Sequence, residues 1–155
     1  MRWIENAQEK KRICLAILNA LPDWFGIPES IAEYGETVQA LPFLVHEEDG
    51  QPVAFVALKE TSVSAVEIHV MGIHLPYHRK GIGRQLVAAC EAYARAHGMP
   101  LLHVKTLSDA VGNAAYLKTY AFYRAQGFLP LEVLPLWDEH NPCLLLVKPL
   151  AENGA

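Results

Sequence analysis

Residues 65–84 of the sequence carry its most concentrated chemistry: an acid, Glu67, followed by a basic, glycine-containing run, His78-Arg79-Lys80-Gly81-Ile82-Gly83-Arg84. Glycines without side chains let an anion approach the backbone. Arg79, Lys80 and Arg84 add positive charge. If a helix begins at this run, its first N–H groups lack partners and its dipole favours a negative ligand. The chemistry implied is capture of a pyrophosphate beside a strand that bears a carboxylate.

The flanking elements are positioned for that task. Val66, Ile68 and Val70 alternate with Glu67, His69 and Met71, which predicts a strand with two distinct faces. A turn is expected at Leu75-Pro76-Tyr77. Ile82, Leu86, Cys90, Tyr93 and His97 recur at helical spacing, with Gly98 placed to close the helix. Two familiar phosphate loops fit poorly. Gly83 is followed by Arg84-Gln85, where a Walker loop needs Lys-Ser or Lys-Thr. Leu86 stands where the dinucleotide fingerprint has its third glycine, and no acid ends the strand Leu101–Thr106.

The run His78-Arg79-Lys80-Gly81-Ile82-Gly83 resembles the Arg/Gln-x-x-Gly-x-Gly/Ala loop of the GNAT-family N-acetyltransferases, with His78 where that family has Arg or Gln. Phe122-Tyr123-Arg124-Ala125-Gln126-Gly127-Phe128 resembles the family's Phe-Tyr-x-x-x-Gly-Phe. The resemblance spans roughly residues 40–149. It implies an acetyl-CoA co-substrate, with residues 78–84 on its pyrophosphate. Backbone groups of Met71 and Ile73 would pair with the pantetheine, in a wedge between 67–73 and 101–106. It implies Glu67, fourteen positions before Gly81, as general base, and Tyr123 as general acid at the departing thiolate. The family often has Asn seven residues before this Tyr. Here that position is Tyr116, and Asn113 lies one helical turn earlier, so both are candidate cofactor contacts.

Plainer readings stand beside these. Glu67 also reads as a solvated acid or a partner for Lys59 or His69. Tyr116, Tyr120 and Tyr123 recur at helical spacing and fit a stripe covering a sheet. His69 shares the face of Glu67 and is an alternative base, whereas His103 reads as an interior, hydrogen-bonded residue. Pro76 breaks any helical pairing of His74 with His78, and no paired cysteines occur, so no metal is expected. Cys90 and Cys143 read as core.

Along the chain, residues 2–5 suggest a short strand, 7–20 a helix ended by Pro22, and 29–40 a second helix started by Pro28. Strands are expected at 43–46 and 52–59 around the turn Glu48-Asp49-Gly50. A strand at 101–106, a helix at 113–126 and strands at 128–136 and 143–148 follow, with Pro130 and Pro135 confining 128–136 to an edge. The fold class is α+β: a mixed, mostly antiparallel sheet flanked by helices with a splayed parallel strand pair, which is the GNAT acyl-CoA N-acyltransferase order.

With 155 residues, 52% of them apolar, one domain over 1–155 is expected. The net charge of −4 argues against a nucleic-acid or anionic-membrane partner. Three widely spaced cysteines and an N-terminus without a sustained apolar run suggest a cytoplasmic protein. The acceptor would be a small-molecule amine or a peptide or protein amine. Trp24, Phe25, Trp137, Asp138 and Glu139 lie in segments that form the acceptor cleft in the resembled family. A charged-tRNA acceptor is disfavoured by the acidic balance. A homodimer is compatible with the sequence. The alternative from another class is a non-catalytic acyl-CoA-binding regulatory module.

Overall fold

A computed structural model describes residues Met1–Ala151; the last four residues of the expected 1–155 domain lie outside the described part. The described chain runs β1 (Arg2–Trp3), α1 (Ala7–Asn19), α2 (Pro28–Thr37), β2 (Phe43–Glu48), β3 (Gln51–Ser62), β4 (Ala65–Ile73), α3 (Ile82–Ala96), β5 (Leu101–Leu107), α4 (Ala114–Ala125), β6 (Leu129–Leu134) and β7 (Cys143–Pro149). The strands are ordered β1-β2-β3-β4-β5-β7-β6. β4 and β5 are parallel over Ala65–Ile68 and Leu101–Val104, and β1-β2, β2-β3, β5-β7 and β6-β7 are antiparallel. The sheet is therefore mixed and largely antiparallel, as the sequence pattern predicts.

The chain divides into two compact units. One comprises 1–59 and 69–89, the other 60–68 and 90 onwards.

In the first unit, Asn6 caps α1 by accepting the Glu9 N–H at 2.8 Å. Ile13, Cys14, Ile17 and Leu18 recur at helical spacing and are all buried. They join Phe43, Val45, Phe55 and Val70 in one apolar cluster, where the Phe43 and Phe55 rings stack at 5.0 Å. Pro28 opens α2, and the helix tightens into a 3-10 turn at Val38–Ala40 within the expected 29–40 span. Gly72 of β4 is there because α1 lies against it. A Cβ at that position would stand 2.9 Å from Ile17 Cγ2 and 3.2 Å from Phe55 Cε1. Asp49 and Gly50 both have positive φ, the geometry of a primed two-residue turn, and they bring Glu48 opposite Gln51. Val53–Leu58 are all buried, which matches the expected central strand.

In the second unit, Val66, Ile68, Leu102, Val104, Phe128 and Leu146 are buried. Gly98 and Gly127, both at positive φ, close α3 and α4. At these ends the N–H groups of Met99 and Phe128 reach back to the carbonyls of Ala94 and Tyr123 at 2.8 and 3.0 Å. Pro130 has its predicted effect. β6 is the last strand in the order, its register shifts between Pro130 and Glu132, and it stops before Pro135, shorter than the expected 128–136. Among the described residues no helix is long and apolar enough to cross a membrane.

Candidate functional site

The glycine run occupies the first unit. β4 ends at Ile73, a 3-10 turn follows at Leu75–Tyr77, and the chain enters α3 at Ile82. Arg79 and Gly81 take positive φ, 59° and 82°. Gly81 suits that conformation without strain, whereas Arg79 holds it at a cost of about 1–2 kcal/mol. Arg79, Lys80 and Arg84 are exposed, while Ile82 and Gly83 are buried at the helix start. The first intrahelical bond joins Gln85 N–H to the Gly81 carbonyl at 3.1 Å. The N–H groups of Ile82, Gly83 and Arg84 thus precede the helical ladder. The first turn contains no acid to neutralise the dipole. The Lys80 ammonium lies 5.3 Å from the centre of the Tyr77 ring.

His78 has a local task. Its Nε2 lies 2.5 Å from the Ile73 carbonyl, so Nε2–H donates there and ties the loop to the end of β4. Its ring also meets Trp24 edge-on at 5.5 Å. Met71 and Ile73 are half-buried on β4. His69 meets Tyr34 at 5.5 Å, and Tyr34 meets Phe25 at 6.0 Å, so Trp24, Phe25 and Tyr34 of the 22–42 segment all make ring contacts in this unit.

The carboxylate lies in the second unit. Glu67 is 5% exposed between buried Val66 and Ile68. Parallel register sets it opposite His103, and Lys105 falls two residues further on the same face of β5. Lys105 Nζ donates to Glu67 Oε2. Glu67 is thus a paired acid, and Lys105 is a partner that the plainer reading did not name. His103 Nδ1 is 3.9 Å from the same oxygen, and its Nε2 is 2.7 Å from Thr61 Oγ1. His103 is thus interior and hydrogen-bonded, as expected. Burial holds its imidazole below the ordinary range, with Glu67 pulling upward and Lys105 downward. Burial likewise raises the Cys143 thiol.

Tyr123 is buried on α4, its ring edge-on to Phe122 and Phe128 at 5.2 Å each. Burial first, then the nearby Cys90 thiol, pushes its phenol well above the ordinary value, so the proton stays on the oxygen at neutral pH. Cys90 itself is pushed up to about 12 by burial, and all three cysteines are free and buried. Asn113 caps α4, its Oδ1 accepting from Ala115 and Tyr116 N–H at 3.0 and 3.2 Å. Tyr116 is half-buried, with its phenol raised by burial. Asp138 folds back on its own loop, accepting from the Asn141 side chain and the His140 N–H at 2.9 Å each. Among the described residues no group of three His, Cys, Asp or Glu is arranged to hold a metal ion.

Sequence reasoning missed Lys105 and Thr61. The signal was available in part. Once 101–106 is read as parallel to the Glu67 strand, the alternation of His103 and Lys105 puts both on one face.

A family model described as the acetyltransferase (GNAT) family matches residues 14–128. Among solved structures, a protein described as a GNAT-family acetyltransferase from Desulfovibrio desulfuricans is similar at TM-score 0.81 and 18% identity, over 97% of this chain and 98% of that one. An aminoglycoside 6'-N-acetyltransferase complexed with coenzyme A is similar at TM-score 0.74 and 17% identity over the whole of both chains. A GNAT-family acetyltransferase from Elizabethkingia anophelis with acetyl-CoA bound is similar at TM-score 0.63 and 17% identity, over 84% and 88%.

Proposed function

Because this chain belongs to the acetyltransferase (GNAT) family, we propose that it moves an acetyl group from acetyl-CoA to a primary amine by direct attack. The observation that carries this reading is the loop before α3: two positive-φ residues, three exposed cations and a helix start without an acid. That combination suits a pyrophosphate. Arg79, Lys80, Gly81, Ile82, Gly83 and Arg84 bind it, and His78 props the loop from behind. Backbone groups of Met71 and Ile73 take the pantetheine. Asn113 and Tyr116 are the remaining proposed cofactor contacts. The bound acetyl-CoA and coenzyme A of two similar structures support the choice of co-substrate.

An alkyl ammonium with a pKa of about 10.4 is not a nucleophile, so the acceptor must first lose a proton. Glu67 receives it, directly or through water. The amine then attacks the thioester carbon, and the tetrahedral oxyanion needs hydrogen-bond donors. As the intermediate collapses, Tyr123 protonates the thiolate. Burial keeps its phenol protonated at neutral pH, the state a proton donor needs, and the same burial makes it a weaker acid. The acceptor is a small-molecule amine or a peptide or protein amine. Three free, buried thiols suit a cytoplasmic location. Exposed Leu129, Leu131 and Val133 on the edge strand β6 are compatible with a homodimer.

One observation favours the second reading, an acyl-CoA-binding module without turnover: the ion pair of Glu67 with Lys105 gives the carboxylate a purely structural task. The first test is thermal unfolding with and without acetyl-CoA. Saturation at a hundred times the dissociation constant adds about 2.7 kcal/mol, a rise of roughly 5–11 °C. Gly83→Val should abolish the shift. No shift at millimolar acetyl-CoA would remove both readings.

A further inference from the structure

Three groups of the second unit adjoin one another in turn: Thr61 near the end of β3 meets His103 on β5, and His103 meets Glu67 on β4. Thr61 Oγ1 lies 3.3 Å from the Ala65 carbonyl and 2.7 Å from His103 Nε2. A hydroxyl has one proton to give, and a carbonyl only accepts. Thr61 therefore donates to Ala65 and accepts from His103, which fixes the neutral imidazole as its Nε2–H form. The lone pair is then on Nδ1. That atom is buried, has no hydrogen-bond partner among the described residues and lies 3.9 Å from Glu67 Oε2. A buried acceptor left without a donor beside a carboxylate costs free energy, so its place calls for a role.

We propose that His103 takes over the proton that Glu67 removes from the acceptor amine. The inference rests on Glu67 acting as the base. The ammonium N–H bond breaks as an O–H bond forms on Glu67. That O–H bond then breaks as an H–Nδ1 bond forms, after the two side chains close by about 1 Å from their 3.9 Å separation. The products are a carboxylate and an imidazolium, which loses its proton to water before the next turnover. No electron changes hands. The transfer restores the negative charge that Lys105 holds and keeps the proton from returning to the amine. The charged groups facing His103 are Glu67 from β4 and Lys105 on its own strand; β3 presents the neutral Thr61 and β7 sets Val147 opposite it. Burial and Lys105 favour release of the proton, whereas Glu67 favours its arrival. His103 acts through Glu67, so it is a positioning and relay residue.

The test has two parts, both on the full chain. Nitrogen NMR of the histidine rings at neutral to mildly alkaline pH should show His103 with its proton on Nε2, and Thr61→Val should mix the two tautomers. A proton found on Nδ1 in the unsubstituted protein overturns the proposal. Next, kcat/KM is followed against pH with the amine that releases CoA fastest. His103→Gln should lower the plateau about 10-fold or more and move the acidic limb to lower pH. A lowered plateau with an unmoved limb means a structural role and overturns the relay. Should His103→Gln fail to fold, Thr61→Val must displace the limb, and an unmoved limb overturns the relay equally. Glu67→Gln separates the two failures. If it turns over normally, the base assignment falls and takes the relay with it. If it is slow while the histidine variants keep the limb, only the relay falls.

Discussion

Glu67 and Lys105 are bound to each other, so each substitution has two consequences. Glu67→Gln removes the proposed base and also leaves the Lys105 ammonium facing a neutral amide. Turnover at neutral pH should fall about 10²-fold or more, with acetyl-CoA affinity unchanged. Stability should fall by about 1–3 kcal/mol, at the lower end because Lys105 reaches solvent, and urea unfolding measures it. Tyr123→Phe keeps the rings packed on Phe122 and Phe128 and loses only the hydroxyl. It should slow CoA release in single-turnover kinetics while costing about 0.5–1.5 kcal/mol. His103 makes stability depend on pH. Its folded value lies below the unfolded one, so as pH falls through about 6.5 the unfolded chain binds more protons and stability drops. His103→Gln should flatten the fall in urea midpoint between about pH 7 and pH 5. An unchanged slope would contradict the burial of a neutral imidazole.

At the scale of elements, the chain is legible wherever one local rule decides. Pro28, Gly98 and Gly127 mark helix ends, Asp49-Gly50 marks the hairpin, and alternation marks β4. The glycine loop also announces itself, because phosphate chemistry needs glycine and cations close together in sequence. What was not legible depends on tertiary register. The Lys105 partner of Glu67 lies 38 residues away, and only the four-residue parallel pairing of β4 with β5 brings it near. The role of Asn113 as the cap of α4 goes unread for a different reason: the family pattern has its Asn at the position of Tyr116, and Asn113, one turn earlier, reads in the sequence only as a cofactor contact. Asn113→Ala should therefore cost about 1 kcal/mol of stability even without cofactor. Gly72 tests the packing of α1 on β4. Gly72→Ala puts a methyl against Ile17 and Phe55 and should lower stability by about 1–3 kcal/mol. Gly81→Ala meets no neighbour within 4 Å, so its cost should be the backbone strain alone, about 1–2 kcal/mol. A smaller loss at Gly72 than at Gly81 in urea denaturation would contradict the tight packing of α1 on β4.

For the whole molecule, β3, β4 and α3 each belong in part to both compact units. Covalent continuity through three elements should make unfolding a single transition, coincident by circular dichroism and fluorescence. Separate transitions would mean that the units fold alone. The central claim, however, is catalytic. The measurement that meets it most directly is thiol release from acetyl-CoA across a panel of primary amines, run in parallel on the unsubstituted protein and Glu67→Gln. The account predicts amine-dependent release of CoA and formation of the N-acetyl product, with the rate collapsing in the variant. Tight acetyl-CoA binding with release no faster than hydrolysis for every amine would contradict it, and would make the protein an acyl-CoA-binding module.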